Sequence, residues 1–284
     1  MGCIPSKSAS SPPSTAAKPK TVYTPKRPTS SVVPNIVVFG ETGAGKSSLI
    51  NMLAGREVTE ASNSATGVTP SNLEFSLTIG NQEYRIWDTA GLNEADTGTV
   101  PAQKALDNLQ VLLKTLAESS SGVSLLIYCI GGMGYGEILR INFDLVWGIM
   151  CQARVPILIL ITNQEYSKPE GDSLIGDTWW KAHSSRLLPD GTTIAPKHLQ
   201  HVPVVTIRGG DNKWDSKYEH SCIEVKKRIQ QMVNNSKWNP PKSTWRQVQK
   251  QLAAYYKHRK VSRDKLERKI VVTNYQTAFA TSVE

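Results

Sequence analysis

Eight consecutive residues concentrate the chemistry of this chain. Gly40-Glu41-Thr42-Gly43-Ala44-Gly45-Lys46-Ser47 fits the spacing G-x-x-x-x-G-K-[ST] in full. Its glycines let the backbone fold tightly, so that successive N–H groups point inward around an anion. Asn35–Phe39 before it reads as a short buried strand, and Leu49, Ile50 and Leu53 after it fall at helical spacing up to Gly55. A strand, a glycine-rich turn and the positive N-terminal end of a helix are the context in which this motif cradles a polyphosphate. The expected phosphate contacts are Glu41, Thr42, Gly43, Ala44, Gly45, Lys46, Ser47 and Ser48. Lys46 reaches the β and γ phosphates, and the Ser47 hydroxyl enters the shell of a Mg²⁺ ion.

A second station follows one strand pair later. Asn72–Ile79 alternates, with Leu73, Phe75, Leu77 and Ile79 on one face, and ends at a Gly80-Asn81 turn. Tyr84–Trp87 is the return strand of that hairpin, and it delivers Asp88-Thr89-Ala90-Gly91. D-x-x-G after a strand is the guanine-nucleotide form of the acid that meets Mg²⁺ through water, with the Gly91 N–H on the γ-phosphate. Between the two stations the polar stretch Asn63–Pro70 is where a nucleotide-sensing loop belongs. A threonine there brings a hydroxyl to Mg²⁺ and an N–H to the γ-phosphate, and Thr69 is preferred to Thr66 because it lies nearer the next strand. Lys46, Thr69 and Gly91 are therefore the expected catalytic groups, and Ser47, Thr69 and Asp88 the expected metal ligands. After Gly91, Ras-like proteins place a glutamine that orients the attacking water. Here Leu92 can neither donate nor accept a hydrogen bond, so slow hydrolysis is expected unless Asn93, Glu94 or a partner supplies a polar group.

Val123–Ile130 and Val155–Ile161 read as two further buried strands, flanked by helices over about Pro101–Leu116 and Ile138–Cys151. The second strand exits into Thr162-Asn163-Gln164-Glu165, where guanine-nucleotide proteins carry N-K-x-D. Glu165 stands in the acid's position, accepting from guanine N1–H and the exocyclic amine. Thr162 replaces the asparagine and Asn163 the lysine, a departure that bears on how strictly guanine is read. A loop acid capping the next helix is the bland alternative. The pair Trp179-Trp180 lies in a helix ending near Leu188 and reads as packing. Val202–Arg208 is expected as the last strand, with the Thr206–Gly209 turn, and Arg208 in it, offering a backbone contact to the base. Tyr218–Val233 reads as the closing helix.

The ends differ from the body. Of 284 residues with net charge +9, residues 1–34 carry +5 with no acid, residues 35–233 carry −4, and residues 234–284 carry +8. Basic arms on a mildly acidic body suit a polyanionic surface better than a globally basic nucleic-acid reader does. The first arm holds seven prolines and eleven Ser/Thr, a composition that predicts disorder, and it lacks the apolar region of a secretory signal. Its opening Met-Gly-Cys-Ile-Pro-Ser matches M-G-x-x-x-[ST], so Gly2 is expected to carry myristate and Cys3 palmitate. One myristoyl chain gives only reversible binding, with K on the order of 10⁴ M⁻¹. The second acyl chain, and Lys7, Lys18, Lys20, Lys26 and Arg27 at about 1 kcal/mol each near anionic lipid, make the anchor stable. No apolar run approaches the ~18–20 residues of a spanning helix. The four cysteines, Cys3, Cys129, Cys151 and Cys222, form no C-x-x-C pair and read as reduced thiols.

In the C-terminal stretch Asn239-Pro240-Pro241 ends the domain, and Ser243/Thr244 can cap a new helix. Trp245, Val248, Leu252 and Tyr255/Tyr256 share one face among lysines and arginines. Such a helix either lies on a membrane or partner, or packs on the domain with its charges in water; no RNA-binding module is recognisable.

Together these motifs resemble the septin-like branch of G domains that holds the immunity-associated GIMAP and chloroplast Toc GTPases, and more closely fungal stand-alone G-domain proteins. The resemblance rests on GETGAGKSSLINMLAG, WDTAGLNE, a Val-Pro-apolar strand before T-x-x-E, and the paired tryptophans, and covers about residues 35–233. It implies an apolar residue after D-T-A-G that goes with slow turnover and nucleotide-dependent dimerisation across the nucleotide face. It does not imply lipidation. The expected architecture is an α/β P-loop NTPase fold of the G-domain type, a mostly parallel sheet with one antiparallel strand and helices on both faces. It is divided into a basic arm (1–34), a G domain (35–233) and a basic helical tail (234–284). The expected function is a GTPase binding GTP or GDP with Mg²⁺, at the cytoplasmic face of a membrane or in the cytoplasm. A non-hydrolysing nucleotide-bound interaction module, a P-loop ATPase or kinase, and an RNA-associated GTPase are the alternatives.

Overall fold

The computed structural model describes residues 32–59, 72–92, 102–188, 198–233 and 237–261, with backbone alone at 102–103 and 256–261. All of these lie in one compact unit, Val32–Glu284. Gly2, Cys3, the arm lysines, Thr66, Thr69, Asn93 and Glu94 lie outside the described residues.

Among the described residues six strands form one sheet: β1 (Asn35–Gly40), β2 (Leu73–Ile79), β3 (Gln82–Asp88), β4 (Leu125–Gly131), β5 (Ile157–Thr162) and β6 (Leu199–Pro203). Their spatial order is β2-β3-β1-β4-β5-β6. Only β2 runs antiparallel, paired with β3 from Leu73↔Asp88 to Ile79↔Gln82. The remaining neighbours are parallel. The interiors of β1, β4 and β5 are almost wholly apolar because both faces of these strands are covered. Ile36, Val38, Leu125, Ile127, Leu158 and Leu160 face one core with Leu49, Ile50 and Leu53 of α1 (Lys46–Ala54) and Val225 and Ile229 of α5 (Asp215–Met232). Val37, Phe39, Leu126, Tyr128, Ile159 and Ile161 face the other. There they meet α2 (Ala102–Glu118), α3 (Glu137–Phe143), α4 (Thr178–Leu187) and α6 (Lys242–Val261). The α/β architecture expected from the sequence is therefore the one observed.

Three elements depart from expectation. The last strand starts at Leu199 and ends at Pro203, rather than running from Val202 to Arg208. It is the edge of the sheet, so Gln200 and His201 stay half exposed and give no apolar signal. After Val204 the chain leaves the sheet, since the Val205 N–H is taken by the Ser221 hydroxyl of α5 at 2.9 Å. The expected single helix to Cys151 is α3 followed by a π-helical stretch, Asp144–Met150, whose Trp147 is fully buried and donates its indole N–H to Val155 O at 2.8 Å. The alternating face of β2 fades outward: Leu77 and Ile79 are buried, whereas Leu73 is exposed.

The described part of α6 belongs to the core. Trp245, Val248 and Leu252 are buried in the cluster formed with α2 and the π-helical stretch. At about 1.5–3 kcal/mol for each large apolar side chain removed from water, this contact commits the helix's apolar face to the domain. Residues 237–239 lead into it as a short clasp. Trp238 and Val123 exchange N–H···O bonds of 2.8 and 3.2 Å, and the Asn239 amide donates to Ala117 O and Ser119 O. Among the described residues no helix is long and apolar enough to cross a membrane.

Candidate nucleotide site

Parallel strands open their loops at one end of the sheet, and there β3 and β1 carry two of the predicted stations side by side and β5 the third, beyond β4. β1 passes through Gly40 into the turn, and α1 begins at Lys46 with Gly45 in the left-handed region at φ 82°. Gly40, at φ 150°, lies so close to β4 that a Cβ there would stand 2.3 Å from the Cys129 carbonyl oxygen. The motif glycine is thus demanded by the neighbouring strand as well as by the turn. Lys46 is buried and folds across its own loop, donating to Glu41 O at 2.9 Å and Gly40 O at 3.3 Å. Burial raises the Glu41 carboxyl above its ordinary range while the Lys46 ammonium opposes the shift. Gly43 is exposed, and Ser47 and Ser48 are half-buried on the first turn of α1.

β3 brings Asp88 to the start of α1. Its Oδ2 accepts the Ser47 hydroxyl at 3.1 Å, across 41 residues of chain. Its Oδ1 is buried without a hydrogen-bond partner. A hydroxyl and a carboxylate brought together, with one acceptor left over in a desolvated place, fit a hard cation such as Mg²⁺, which prefers oxygen ligands and keeps several waters. Burial raises the Asp88 pKa, opposed by Lys46 and by the Ser47 hydroxyl. A carboxyl raised in the folded state adds stability below its unfolded pKa and loses that contribution as pH climbs through the folded value. At neutral pH the ionised group therefore weakens the nucleotide-free fold. Asp88→Asn is expected to raise the Tm of nucleotide-free protein at pH 7, by a margin that shrinks toward acid. The same variant should lower Mg²⁺ affinity about 10–100-fold. Thermal melts across pH, together with Mg²⁺-dependent nucleotide retention, check both; a lower Tm at pH 7 contradicts the burial argument.

The segment after Asp88 is strapped to the phosphate loop. The Thr89 hydroxyl donates to Val38 O at 2.9 Å, and the Leu92 N–H donates to Gly40 O at 3.0 Å. Gly91 sits so close to Thr42 that a Cβ would fall 2.0 Å from its hydroxyl and 2.8 Å from its Cα. Leu92 is fully buried in the core. The position where a glutamine would orient water is thus filled by an apolar side chain facing away from solvent.

β5 ends at Thr162, whose hydroxyl donates to Ala44 O at 3.1 Å and lies 3.2 Å from Ile130 O, so the third loop is bonded directly to the first. Asn163 is exposed at φ 59°, and Glu165 is buried. Two residues that the sequence reading passed over hold this turn. The Gln164 amide donates to Thr162 O at 3.1 Å and its carbonyl accepts the Ser167 hydroxyl at 2.5 Å. From α5, Lys217 donates to Glu165 O at 2.7 Å and Ser167 O at 2.8 Å. Lys217 lies 52 residues from Glu165, beyond any local pattern. On the neighbouring loop the Arg208 guanidinium is engaged by Asp215 and Glu219 and lies 4.2 Å over the Tyr218 ring, and its carbonyl accepts the Trp214 N–H. The Arg208 side chain is thus committed to α5. Burial pushes the Cys129 thiol, on β4 behind the loop, up to about 12, so it is a core residue and not a nucleophile.

Such a sheet, with the G-x-x-x-x-G-K-[ST] turn after β1, Asp88 ending the neighbouring strand and a T-x-x-E turn beyond β5, has the G-domain P-loop NTPase fold. Residues 35–131 match the family described as 50S ribosome-binding GTPase. The tRNA modification GTPase MnmE of Brucella anthropi is 48% identical over 63 residues, 22% of this chain and 14% of that protein. MnmE of Brucella ovis is 46% identical over the same length and shares. The chain thus spans about a seventh of the length of these relatives. In fold it resembles Toc33 from Arabidopsis thaliana in complex with GDP and Mg²⁺, with a TM-score of 0.54 at 20% identity, covering 73% of this chain and 86% of that one. A second Toc33-related structure, from work reporting that dimerization is important for the GTPase activity of atToc33 and psToc159, gives a TM-score of 0.54 at 19% identity. It covers 72% of this chain and 85% of that one.

Proposed function

We propose that this chain binds guanine nucleotide with Mg²⁺ and hydrolyses GTP slowly to GDP and phosphate, as a switch or assembly protein tethered to the cytoplasmic face of a membrane. One observation supports the nucleotide reading above the others. The Ser47–Asp88 pair, with its orphaned oxygen, lies beside Lys46 and is joined to the Thr162–Glu165 turn through the Thr162–Ala44 bond. The residues that this reading assigns to phosphate, metal and base are joined to one another by hydrogen bonds, which supports it.

In this reading catalysis is positional and electrostatic. Lys46 turns from its loop carbonyls to the β and γ phosphates, and the loop amides hold the remaining oxygens. Ser47, Asp88 and Thr69 would hold magnesium, which when bound would supply positive charge against the charge developing on the phosphate oxygens. The N–H groups of Thr69 and Gly91 hold the γ-phosphate and are released when it departs. Leu92 has no polar atom on its side chain and is buried, which supports slow turnover in the isolated chain. A second copy or another protein then supplies the missing polar group, and a nucleotide-dependent homodimer of the GIMAP–Toc kind is the form this takes. Myristate on Gly2 and palmitate on Cys3, with the basic arm, attach the protein to anionic lipid.

Competition on the full chain tests the core of this reading: GTP should displace labelled GDP at far lower concentration than ATP. Equal displacement by ATP assigns a P-loop ATPase or kinase instead. Single-turnover phosphate release measured across protein concentration should accelerate as the protein is concentrated; no release at any concentration makes the chain a nucleotide-holding module. Gly2→Ala is expected to move the full-length protein from the membrane fraction to the soluble one, and unchanged fractionation removes the acyl anchor from the proposal.

A further inference from the structure

We infer that Lys217 is a positioning residue for base recognition: from α5 it holds the Glu165 turn in the shape that reads guanine. This rests on the nucleotide reading above and assigns a determinant of its base selectivity. The Glu165 carboxylate is only useful to a base if its backbone is held still, because a glutamate has one more rotatable bond than the aspartate that usually stands here. The turn that carries it follows Asn163, which already sits in the left-handed region. Among the described residues the β4–β5 ladder ends at Thr162.

What replaces the sheet is a pair of side-chain ties. Gln164 closes the turn internally, onto Thr162 O and the Ser167 hydroxyl. Lys217 closes it from outside, its ammonium bridging Glu165 O and Ser167 O at 2.7 and 2.8 Å. Both are charge-assisted bonds to neutral carbonyls, stronger than ordinary amide bonds. Lys217 is itself anchored, since its own carbonyl accepts the Ser221 hydroxyl at 2.7 Å, and that same hydroxyl accepts the Val205 N–H. The loop 204–209 is tied to this helix and its N-cap again, through the Arg208 guanidinium on Asp215 and Glu219 and through the Trp214 N–H on Arg208 O at 2.9 Å. The opening turns of α5 are therefore one platform for both base loops, and Lys217 is the side chain by which that platform grips the acid-bearing one.

A phosphate contact and a base contact lose affinity in different ways, and this separates positioning from general stability. Lys217→Met removes both bonds, while Lys217→Arg keeps a cation that can bridge two carbonyls. In the full chain with Mg²⁺, Lys217→Met is expected to weaken GDP binding about tenfold while ADP binding, carried by the phosphate loop, stays within about twofold. The GDP-over-ADP preference then falls about tenfold, and Lys217→Arg restores most of it. Parallel loss of GDP and ADP binding, or an unchanged preference, overturns the inference. Lys217→Gln, which retains one donor and the stem, gives the same readout with an intermediate loss if the methionine variant does not fold. If the unmodified chain shows no preference for GDP over ADP, it is the guanine reading itself that fails. If it shows one that Lys217→Met leaves intact, only the positioning role does.

Discussion

Lys46→Ala is expected to weaken Mg²⁺–nucleotide binding about 100-fold or more. The ammonium makes charge-assisted bonds worth roughly 1.5–3 kcal/mol each, and losing those to two phosphates costs at least two factors of ten. The residue does not sit idle in the protein as described: it is 7% exposed and lies on the carbonyls of Gly40 and Glu41. Its charge also opposes the upward pKa shifts of Asp88 and Glu41, both driven first by burial. Removing it raises both groups further, so the variant should lose nucleotide affinity and gain a stronger pH dependence of stability above the ordinary carboxylate range. Lys46→Arg should not rescue binding, because a planar guanidinium needs room that a loop closed around a compact ammonium does not leave. Titration with GDP and with GTP, alongside melts of the nucleotide-free protein, measures both effects; undiminished affinity would locate the phosphate elsewhere.

Gly40→Ala should damage the fold severely, because the added methyl group meets a neighbouring strand's backbone and not a movable side chain. At φ 150° the position lies where side chains are strained, and the new Cβ would meet the Cys129 carbonyl oxygen at 2.3 Å and its carbon at 3.2 Å. Those atoms belong to β4, in register with Gly40, so no flexible side chain can yield and two central strands must separate. Backbone strain of about 1–3 kcal/mol and overpacking of about 1–3 kcal/mol compare with a total stability of about 5–15 kcal/mol. The Tm should fall by roughly 10 °C. Gly43→Ala is the control. Its φ of 75° is also left-handed, but nothing stands within 4 Å of the added atom. It therefore carries only the backbone cost, about 1–2 kcal/mol. Equal melting temperatures for the two variants would mean that the β1–β4 contact is not what demands a glycine.

The phosphate station was legible because its whole argument fits into one strand, one turn and one helix start, where each residue's role follows from its immediate neighbours. Asp88 was legible for a similar reason, as the end of a hairpin whose alternation and turn are local. The buried strands β1, β4 and β5 announced themselves as continuous apolar runs, since both of their faces are covered. β6 did not, because an edge strand with half-exposed Gln200 and His201 leaves no such run.

The amino-acid order alone thus determined the glycine-rich turn between β1 and α1, the strand that ends at Asp88, the alternation of strands and helices, and an apolar side chain at Leu92. Tertiary structure decided what each exposed-looking face would meet. The apolar stripe of α6 was equally suited to a membrane or to a core until Trp245, Val248 and Leu252 were found buried among α2 and the π-helical stretch. Lys217 was one basic residue among many on a helix until folding brought it to two carbonyls some fifty residues earlier in the chain. The reason is the same in both cases. Periodicity reports which side of an element is apolar or charged, a property of a few neighbouring residues. The partner of that side is chosen by the whole packing of the chain, and no short stretch of sequence contains it.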